Sequence, residues 1–119
     1  MARNAPSIDA YGDGGFRLDG VRFEGSVLIL QDQARSWDVA DIADLTLAAL
    51  EPVLAAGRAE VELVLLGVGA RNALPAREIR DGLRLAGIGL EFMDTPNAAR
   101  IYNLLTSDGR RVAAALIAI

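Results

Sequence analysis

The sequence contains no cysteine, no histidine and no lysine among its 119 residues. Without cysteine, the chain has no disulfide, no thiolate metal ligand and no thiol nucleophile. Without histidine, it lacks the commonest general base and the commonest transition-metal ligand, and a Ser-His-Asp hydrolase is excluded. An enzyme made from this chain would depend on Asp, Glu, Tyr, Arg or a borrowed cofactor. These absences favour a non-catalytic protein and predict no cofactor and no metal site.

All twelve basic residues are arginine, and sixteen acidic residues bring the net charge to −4, with a pI near 4.7. An acidic chain is poorly suited to general nucleic-acid binding, which depends on neutralising phosphates with a basic face. The exclusive use of arginine has two interpretations. It could provide bidentate anion recognition at several sites, or it could reflect a GC-rich genome.

The sequence also lacks a long hydrophobic run. The longest one, Val112 to Ile119, has eight residues, whereas a membrane-spanning helix needs about 20. The start of the chain does not have the basic and then apolar pattern of a signal peptide. We therefore predict a cytoplasmic protein without a membrane span. Residues 1–14 are rich in Gly, Ala and small polar residues and are predicted to form a loose arm, followed by a single domain over residues 15–119.

The pattern of the first half is typical of β-structure. Residues 16–18 and 21–23 flank Asp19-Gly20, which is a strong hairpin signal, and the hairpin places Arg17 opposite Arg22. This arginine pair could form a small anion site or could simply be solvated. Residues 26–30 predict a buried strand, residues 31–36 a polar loop and residues 37–40 a short edge strand.

The second half predicts strands and helices in alternation. Thr46 can cap a helix that Gly57 ends, although Pro52 makes that helix kinked or short. Two further helices are predicted over 76–86 and 96–106, and three strands over 61–66, 88–93 and from Arg110 or Arg111 to the end of the chain. Parallel strands joined by helices need cover on both faces. The predicted fold is therefore a three-layer α/β domain with a central mixed β-sheet, an N-terminal β-hairpin and a β-helix-β-helix-β second half.

The carboxyl edge of this sheet is the predicted candidate site for a ligand or partner. The loop after the 61–66 strand and the start of the last helix should emerge at the same edge, where α/β proteins tend to bind ligands. Thr95 is predicted to cap that helix, and Arg100 to pair with Asp94 or Glu91. Tyr102 is placed at the rim. The candidate residues are Gly67, Gly69, Arg71, Asp94, Thr95, Arg100, Tyr102 and Asn103.

Gly67-Val68-Gly69 after a strand also matches the start of a dinucleotide-binding fingerprint. The third glycine of that fingerprint is Asn72 here, and Pro75 delays the helix. The segment is therefore interpreted either as half of a nucleotide site or as a turn that leaves a buried strand.

Several segments together resemble a known family. They are GFRLDG at 15–20, FEGS at 23–26, LLGVG at 65–69, GIGLEFMDT at 87–95, ARIYN at 99–103 and GRRVAAALI at 109–117. The chain resembles the small bacterial and archaeal family of unassigned biochemistry that includes mitochondrial respiratory complex I assembly factor 3. The resemblance implies a three-layer α/β fold with no established enzymatic activity. It also implies protein partners, because the mitochondrial relative binds another assembly factor and early complex I subunits.

The leading hypothesis is a non-catalytic protein-binding or assembly-factor-like module, linked to respiratory complex I or membrane-protein biogenesis. The alternative is a small-ligand or anion-binding protein, or an enzyme, that uses the carboxyl edge of the sheet. A homo-oligomeric structural protein is a third option and would need an apolar surface patch larger than a few hundred Å².

Overall fold

The computed structural model describes residues 5–119, which form eight strands and three α-helices. The strands are β1 Ile8–Gly12, β2 Gly15–Leu18, β3 Val21–Glu24, β4 Ser26–Leu30, β5 Gln33–Trp37, β6 Leu63–Gly67, β7 Gly89–Met93 and β8 Val112–Leu116. The helices are α1 Glu51–Ala56, α2 Arg77–Leu85 and α3 Thr95–Ser107. Two short 3₁₀ helices, Ile42–Asp44 and Leu47–Leu50, precede α1.

A five-stranded mixed sheet with the order β5-β4-β8-β6-β7 forms the centre of the molecule. Strand β8 pairs antiparallel with β4 and parallel with β6, and β6 pairs parallel with β7. Both faces of the central strands are covered, which explains why β4 and β8 are buried at every position. The predicted mixed sheet and the β-helix-β-helix-β second half are confirmed.

Two hydrophobic cores lie on opposite faces of this sheet, because successive side chains of a strand alternate in direction. Leu28 and Leu66 contribute to the core that α1 and α2 cover. Val27 and Leu65 contribute to the other core, which α3 and a three-stranded antiparallel sheet of β1, β2 and β3 cover. The predicted three-layer architecture is therefore confirmed.

The β2–β3 hairpin forms in the predicted register, with Arg17 opposite Arg22. Its turn residues both have positive φ, 47° at Asp19 and 81° at Gly20, as a two-residue hairpin turn requires. Phe16 and Leu18 of β2 are buried, whereas Val21 of β3 is 57% exposed. Strand β3 is an edge strand of its sheet and β2 is the central one, so the side chains of β3 are less covered than those of β2.

The predicted loop over residues 31–36 is wrong, because Gln33–Trp37 forms β5 and pairs with β4 along its whole length. The turn before it uses Gln31 and Asp32 at φ 50° and 67°, so no glycine marks it in the sequence. Strand β5 is an edge strand, which allows its mostly polar composition. Trp37 is buried, and its indole N–H donates to the Ala49 carbonyl at 2.9 Å.

The helix predicted from Thr46 is interrupted, as Pro52 suggested. The Thr46 side chain accepts from the Ala49 N–H, but the helix that it caps is the second 3₁₀ helix. Pro52 then lies in the first turn of α1, where its missing N–H costs no helical hydrogen bond. Gly57, at φ 76°, ends α1 as predicted.

The loose arm predicted over residues 1–14 is wrong for Ile8–Gly12, because β1 pairs antiparallel with β2. Ile8 is buried in the core under α3. Residues 1–4 lie outside the described part of the chain.

Candidate functional site

Thr95, one of the predicted site residues, is fully buried and joins three elements. Its hydroxyl donates to the Ile117 carbonyl at 2.7 Å and accepts from the Gly69 N–H at 3.0 Å. Its own N–H donates to the Gly69 carbonyl at 2.8 Å. The segments after β6 and β8 are thereby fixed to the start of α3. The side chain of Thr95 is used inside the protein and does not face a cleft.

The two glycines of the candidate site pack around Thr95. A Cβ on Gly67 would lie 2.9 Å from the Thr95 Oγ1 and 3.0 Å from a Leu116 methyl carbon, so only glycine allows this approach. Gly69 has φ 111°, which favours glycine, and its N–H is bound to Thr95. The two glycines of the partial dinucleotide fingerprint therefore allow β6, β8 and the start of α3 to pack closely together.

Asp94 caps α3, a role that the sequence analysis assigned to Thr95. One oxygen of its carboxylate accepts from the Asn97 N–H at 2.9 Å, and the other accepts from the Asn97 side-chain amide at 3.0 Å. A carboxylate at this position satisfies a free N–H of the first turn and interacts favourably with the positive end of the helix dipole. The predicted cap is therefore wrong by one residue.

Tyr102 and Asn103 both serve the packing of α3. Tyr102 is fully buried, so its predicted place at the rim is wrong. The Asn103 side-chain amide donates to the Ile8 carbonyl at 2.9 Å, and its oxygen accepts from the Ile8 N–H at 2.9 Å. This pair of bonds attaches β1 to α3 in the way that a neighbouring strand would.

Arg71 and Arg100 are both exposed. Arg100 donates to the Asn97 side-chain oxygen at 3.2 Å, and within residues 5–119 it forms no ion pair, so its predicted pairing with Asp94 or Glu91 is wrong. Arg100 lines a large groove beside α3, and Arg71 does not. The two arginines, both expected at the carboxyl edge of the sheet, therefore do not share this groove.

We call that depression the α3 groove. It has a volume of about 670 Å³ and lies between β6, β7 and α3. Its lining is mainly apolar and is edged by polar side chains. The residues are Leu63, Leu65, Glu91, Met93, Asn97, Arg100, Ile101, Leu105 and Arg110.

A second depression, the α2 groove, lies on the other face of β7 and has a volume of about 460 Å³. It is lined by Arg80, Arg84, Gly87, Ile88, Gly89, Leu90 and Phe92. Strand β7 is therefore bordered by an open groove on each face.

A family model described as "Protein of unknown function (DUF498/DUF598)" matches residues 8–117. The chain belongs to this family. The match begins at β1 and ends just after β8, so it includes both cores and both grooves.

The relatives of this chain include bacterial and vertebrate proteins. An uncharacterised protein of Rhodobacter capsulatus is 42% identical over 92% of this chain and 82% of its own length. The human NADH dehydrogenase (ubiquinone) 1 alpha subcomplex assembly factor 3 is 33% identical over 98% of this chain. The match covers 62% of that human protein. The resemblance inferred from sequence is therefore confirmed.

The fold agrees with an experimental structure of a relative. The crystal structure of a protein described as an outer membrane protein from Bartonella henselae superposes with a TM-score of 0.90 at 30% identity, and the alignment covers 99% of this chain and 98% of that one. Within residues 5–119 of the present chain, no helix has the length and apolar character needed to cross a membrane.

Glu62 and two arginines form the most extensive ion-pair cluster near the α3 groove. Its carboxylate binds Arg110 directly and lies 3.5 Å from the Arg111 guanidinium. The hydrogen bond from Arg110 holds the pKa of Glu62 below its ordinary value of 4.5.

A separate ion pair joins Arg22 and Glu24 on β3, at a distance of 2.9 Å. The hydrogen bond from Arg22 lowers the pKa of Glu24, and Arg22 also donates to the Asp13 carbonyl. The Arg22 guanidinium therefore already has two partners within the protein, the Glu24 carboxylate and the Asp13 carbonyl.

Sequence reasoning missed the position of β7 at the end of the sheet. The predicted strand over 88–93 contains one charged residue between two large apolar ones, and this pattern fits a buried or an edge strand equally well. Strand order is a long-range property, and no local signal in this segment encodes it.

Proposed function

We propose that this chain is a non-catalytic protein-binding module of the cytoplasm that takes part in the assembly of a larger complex, with respiratory complex I as the first candidate. The observation that carries the proposal is the 33% identity to the human assembly factor, which extends over 98% of this chain. The likeness therefore involves the whole domain and not one segment of it.

The hydrogen bonding of the candidate polar residues supports a binding role over a catalytic one. Gly69, Asp94, Thr95 and Asn103 satisfy one another or the backbone, which leaves few groups for acid–base chemistry. Of the predicted set, Arg100 is the residue that we propose as a direct partner contact, because it is exposed and edges the α3 groove. Arg71 is the second, more remote candidate.

Deletion of the gene in the organism that encodes it tests the proposal. We expect native gels to show less fully assembled complex I and an accumulation of partly assembled forms, and the wild-type gene on a plasmid should restore assembly. Normal amounts of assembled complex I in the deletion strain would rule out a role in that complex.

The alternative is a small-ligand or anion-binding protein, or an enzyme, that uses the carboxyl edge of the sheet, and Arg100 of that predicted site lies in the α3 groove. Its polar edge contains Arg100 and Arg110, but Arg110 is already bound to Glu62. We therefore keep protein binding as the proposal. Homo-oligomer formation is tested separately, by sedimentation of the purified protein.

A further inference from the structure

Strand β7 is the last strand of the five-stranded sheet formed by residues 5–119. The Gly89 N–H donates to the Glu62 carbonyl at 3.0 Å, and the Met93 carbonyl accepts from the Val68 N–H at 2.9 Å. Residues of a parallel strand alternate between the two neighbouring sides. Gly89, Glu91 and Met93 therefore bind β6, and Leu90 and Phe92 direct their backbone N–H and carbonyl groups to the open edge.

The open edge of β7 has room for side chains on both faces. Glu91 and Met93 border the α3 groove, and Leu90 and Phe92 border the α2 groove. These four residues remain half-buried or exposed, whereas residues 64–67 of β6 are fully buried. An added strand could thus place alternate side chains into the two grooves while pairing its backbone with Leu90 and Phe92.

Most of the charged side chains that line the two grooves are basic. The two grooves are lined by four arginines, Arg80, Arg84, Arg100 and Arg110, and by one carboxylate, Glu91. The whole chain in contrast has a net charge of −4. Arg84 pairs with Asp81 and Arg110 with Glu62.

Within residues 5–119, two of these guanidinium groups interact only with neutral oxygens. Arg80 donates to the Pro75 carbonyl at 3.1 Å, and Arg100 donates to the Asn97 side chain at 3.2 Å. One of the two lines the α2 groove and the other lines the α3 groove. A carboxylate arriving on either face of β7 would therefore meet an arginine whose charge has no acidic partner among the described residues.

We propose that the free edge of β7 binds an extended, acidic segment of a partner protein, which adds to the sheet as a sixth strand. This inference rests on the proposed protein-binding function and identifies its surface and the chemistry of its partner. Apolar side chains of the segment fill the two grooves, and its carboxylates pair with Arg80 and Arg100.

A second copy of this chain fits the edge less well. It would bring the same four arginines with it, and like charges placed close together oppose pairing. Charged residues also protect edge strands against unwanted pairing. A purely protective role predicts that acidic and basic segments are both rejected, which the following experiment distinguishes.

The experiment uses the full-length protein and a blocked synthetic peptide with valines at its centre and glutamates at both ends. Amide shifts and hydrogen-exchange rates are followed by NMR. We expect weak binding that slows exchange at Leu90 and Phe92 by about tenfold or more and that weakens as salt is added. Two control peptides should not bind, one with lysines in place of the glutamates and one with N-methylated central valines.

Protein variants test the arginines. Arg80→Glu combined with Arg100→Glu should weaken peptide binding by about tenfold. The matched control is Arg17→Glu combined with Arg35→Glu, which makes the same charge change at exposed positions on β2 and on the opposite edge strand β5. This control should bind as the wild type does, and thermal unfolding confirms that both variants are folded.

The inference is overturned if the glutamate peptide does not bind, if either control peptide binds equally well, or if both variant pairs lose affinity alike. It is also overturned if Leu90 and Phe92 are already protected in a dimer of the free protein, because a second copy then occupies the edge. If the peptide binds but complex I is normal in the deletion strain, the β7 edge is still a binding surface and the proposed assembly role is wrong. If complex I is defective but the peptide does not bind, the assembly role stands and the β7 inference is wrong.

Discussion

At the scale of single residues, Thr95 accounts for much of the organisation at the carboxyl edge of the sheet. Its hydroxyl bonds Ile117 and Gly69, and the missing side chain of Gly67 leaves the space that it occupies. A buried donor or acceptor without a partner is costly, so this contact constrains all three elements together. A residue that looked like a ligand contact is in fact a connection within the core.

Replacing Thr95 with valine keeps its shape but removes the hydroxyl. We expect Thr95→Val to lower the free energy of unfolding by about 1–3 kcal/mol, because the buried Ile117 carbonyl and Gly69 N–H lose a partner. Urea denaturation measures the change. The control Ser107→Ala removes an exposed hydroxyl from the end of α3 and should change stability by less than about 0.5 kcal/mol. Equal effects of the two substitutions would contradict this role.

Glu62 gives a pH-dependent prediction. Arg110 holds its pKa below 4.5 in the folded state, so the stabilisation is fully present above that value and is lost as the pH falls through the folded pKa. The stability difference between the wild type and Glu62→Gln should therefore be constant at higher pH and should shrink below about pH 4.5. Urea midpoints over a pH series measure it.

The double variant Glu62→Gln with Arg110→Gln provides the control. Once the carboxylate is gone, removal of Arg110 should add no further pH dependence in this range. If the stability difference between the wild type and Glu62→Gln stays the same down to the pH of acid unfolding, the ion pair contributes nothing to folding.

At the scale of elements, α3 holds β1 in place through Asn103. Its side chain satisfies both backbone groups of Ile8, and it does so across 95 positions of sequence. The opposite edge of β1 is paired with β2, so β1 lies between the β2–β3 hairpin and α3. The amide thus extends the hydrogen bonding of a small sheet onto a helix.

Asn103→Ala should loosen β1. We expect a loss of about 1–3 kcal/mol in the free energy of unfolding, because Ile8 keeps two backbone groups without their partner. Hydrogen exchange at Ile8 should become faster. The neighbouring substitution Leu104→Ala is the control, because Leu104 is 55% exposed. An unchanged exchange rate at Ile8 in Asn103→Ala would refute the connection.

The helices and strands that were predicted correctly are those whose turn residues and apolar pattern match their burial in the fold. The Asp19-Gly20 turn, the buried strands β4 and β6 and helix α2 all follow from turn chemistry and apolar periodicity. Strand β5 was missed because its turn uses Gln31 and Asp32 in place of glycine, and because an edge strand need not be apolar.

The candidate site was harder to predict because polarity alone does not reveal where a side chain is directed. Asn103 and Thr95 are bonded to residues that lie far away in sequence. Arg100 was expected at the carboxyl edge of the sheet, whereas the groove that it lines lies on a face of the sheet and depends on β7 being the outermost strand. The identity of a partner is a property of another molecule and has no local signal in this chain.

At the scale of the whole molecule, the two faces of the sheet are closed by helices and by the small sheet, and β7 is left as an accessible edge between two grooves. The proposed assembly role requires reversible binding of a partner protein. Strand addition suits this, because the main chain gives affinity while a few side chains give specificity. The charges at the edge favour an acidic segment over a second copy.

The most direct test is complementation of the deletion strain with the two matched variant pairs, with assembled complex I measured on native gels. If the protein acts through β7, the Arg17→Glu and Arg35→Glu pair restores assembly and the Arg80→Glu and Arg100→Glu pair does not, at equal protein levels. Full restoration by both pairs would contradict the claim that this edge binds the partner.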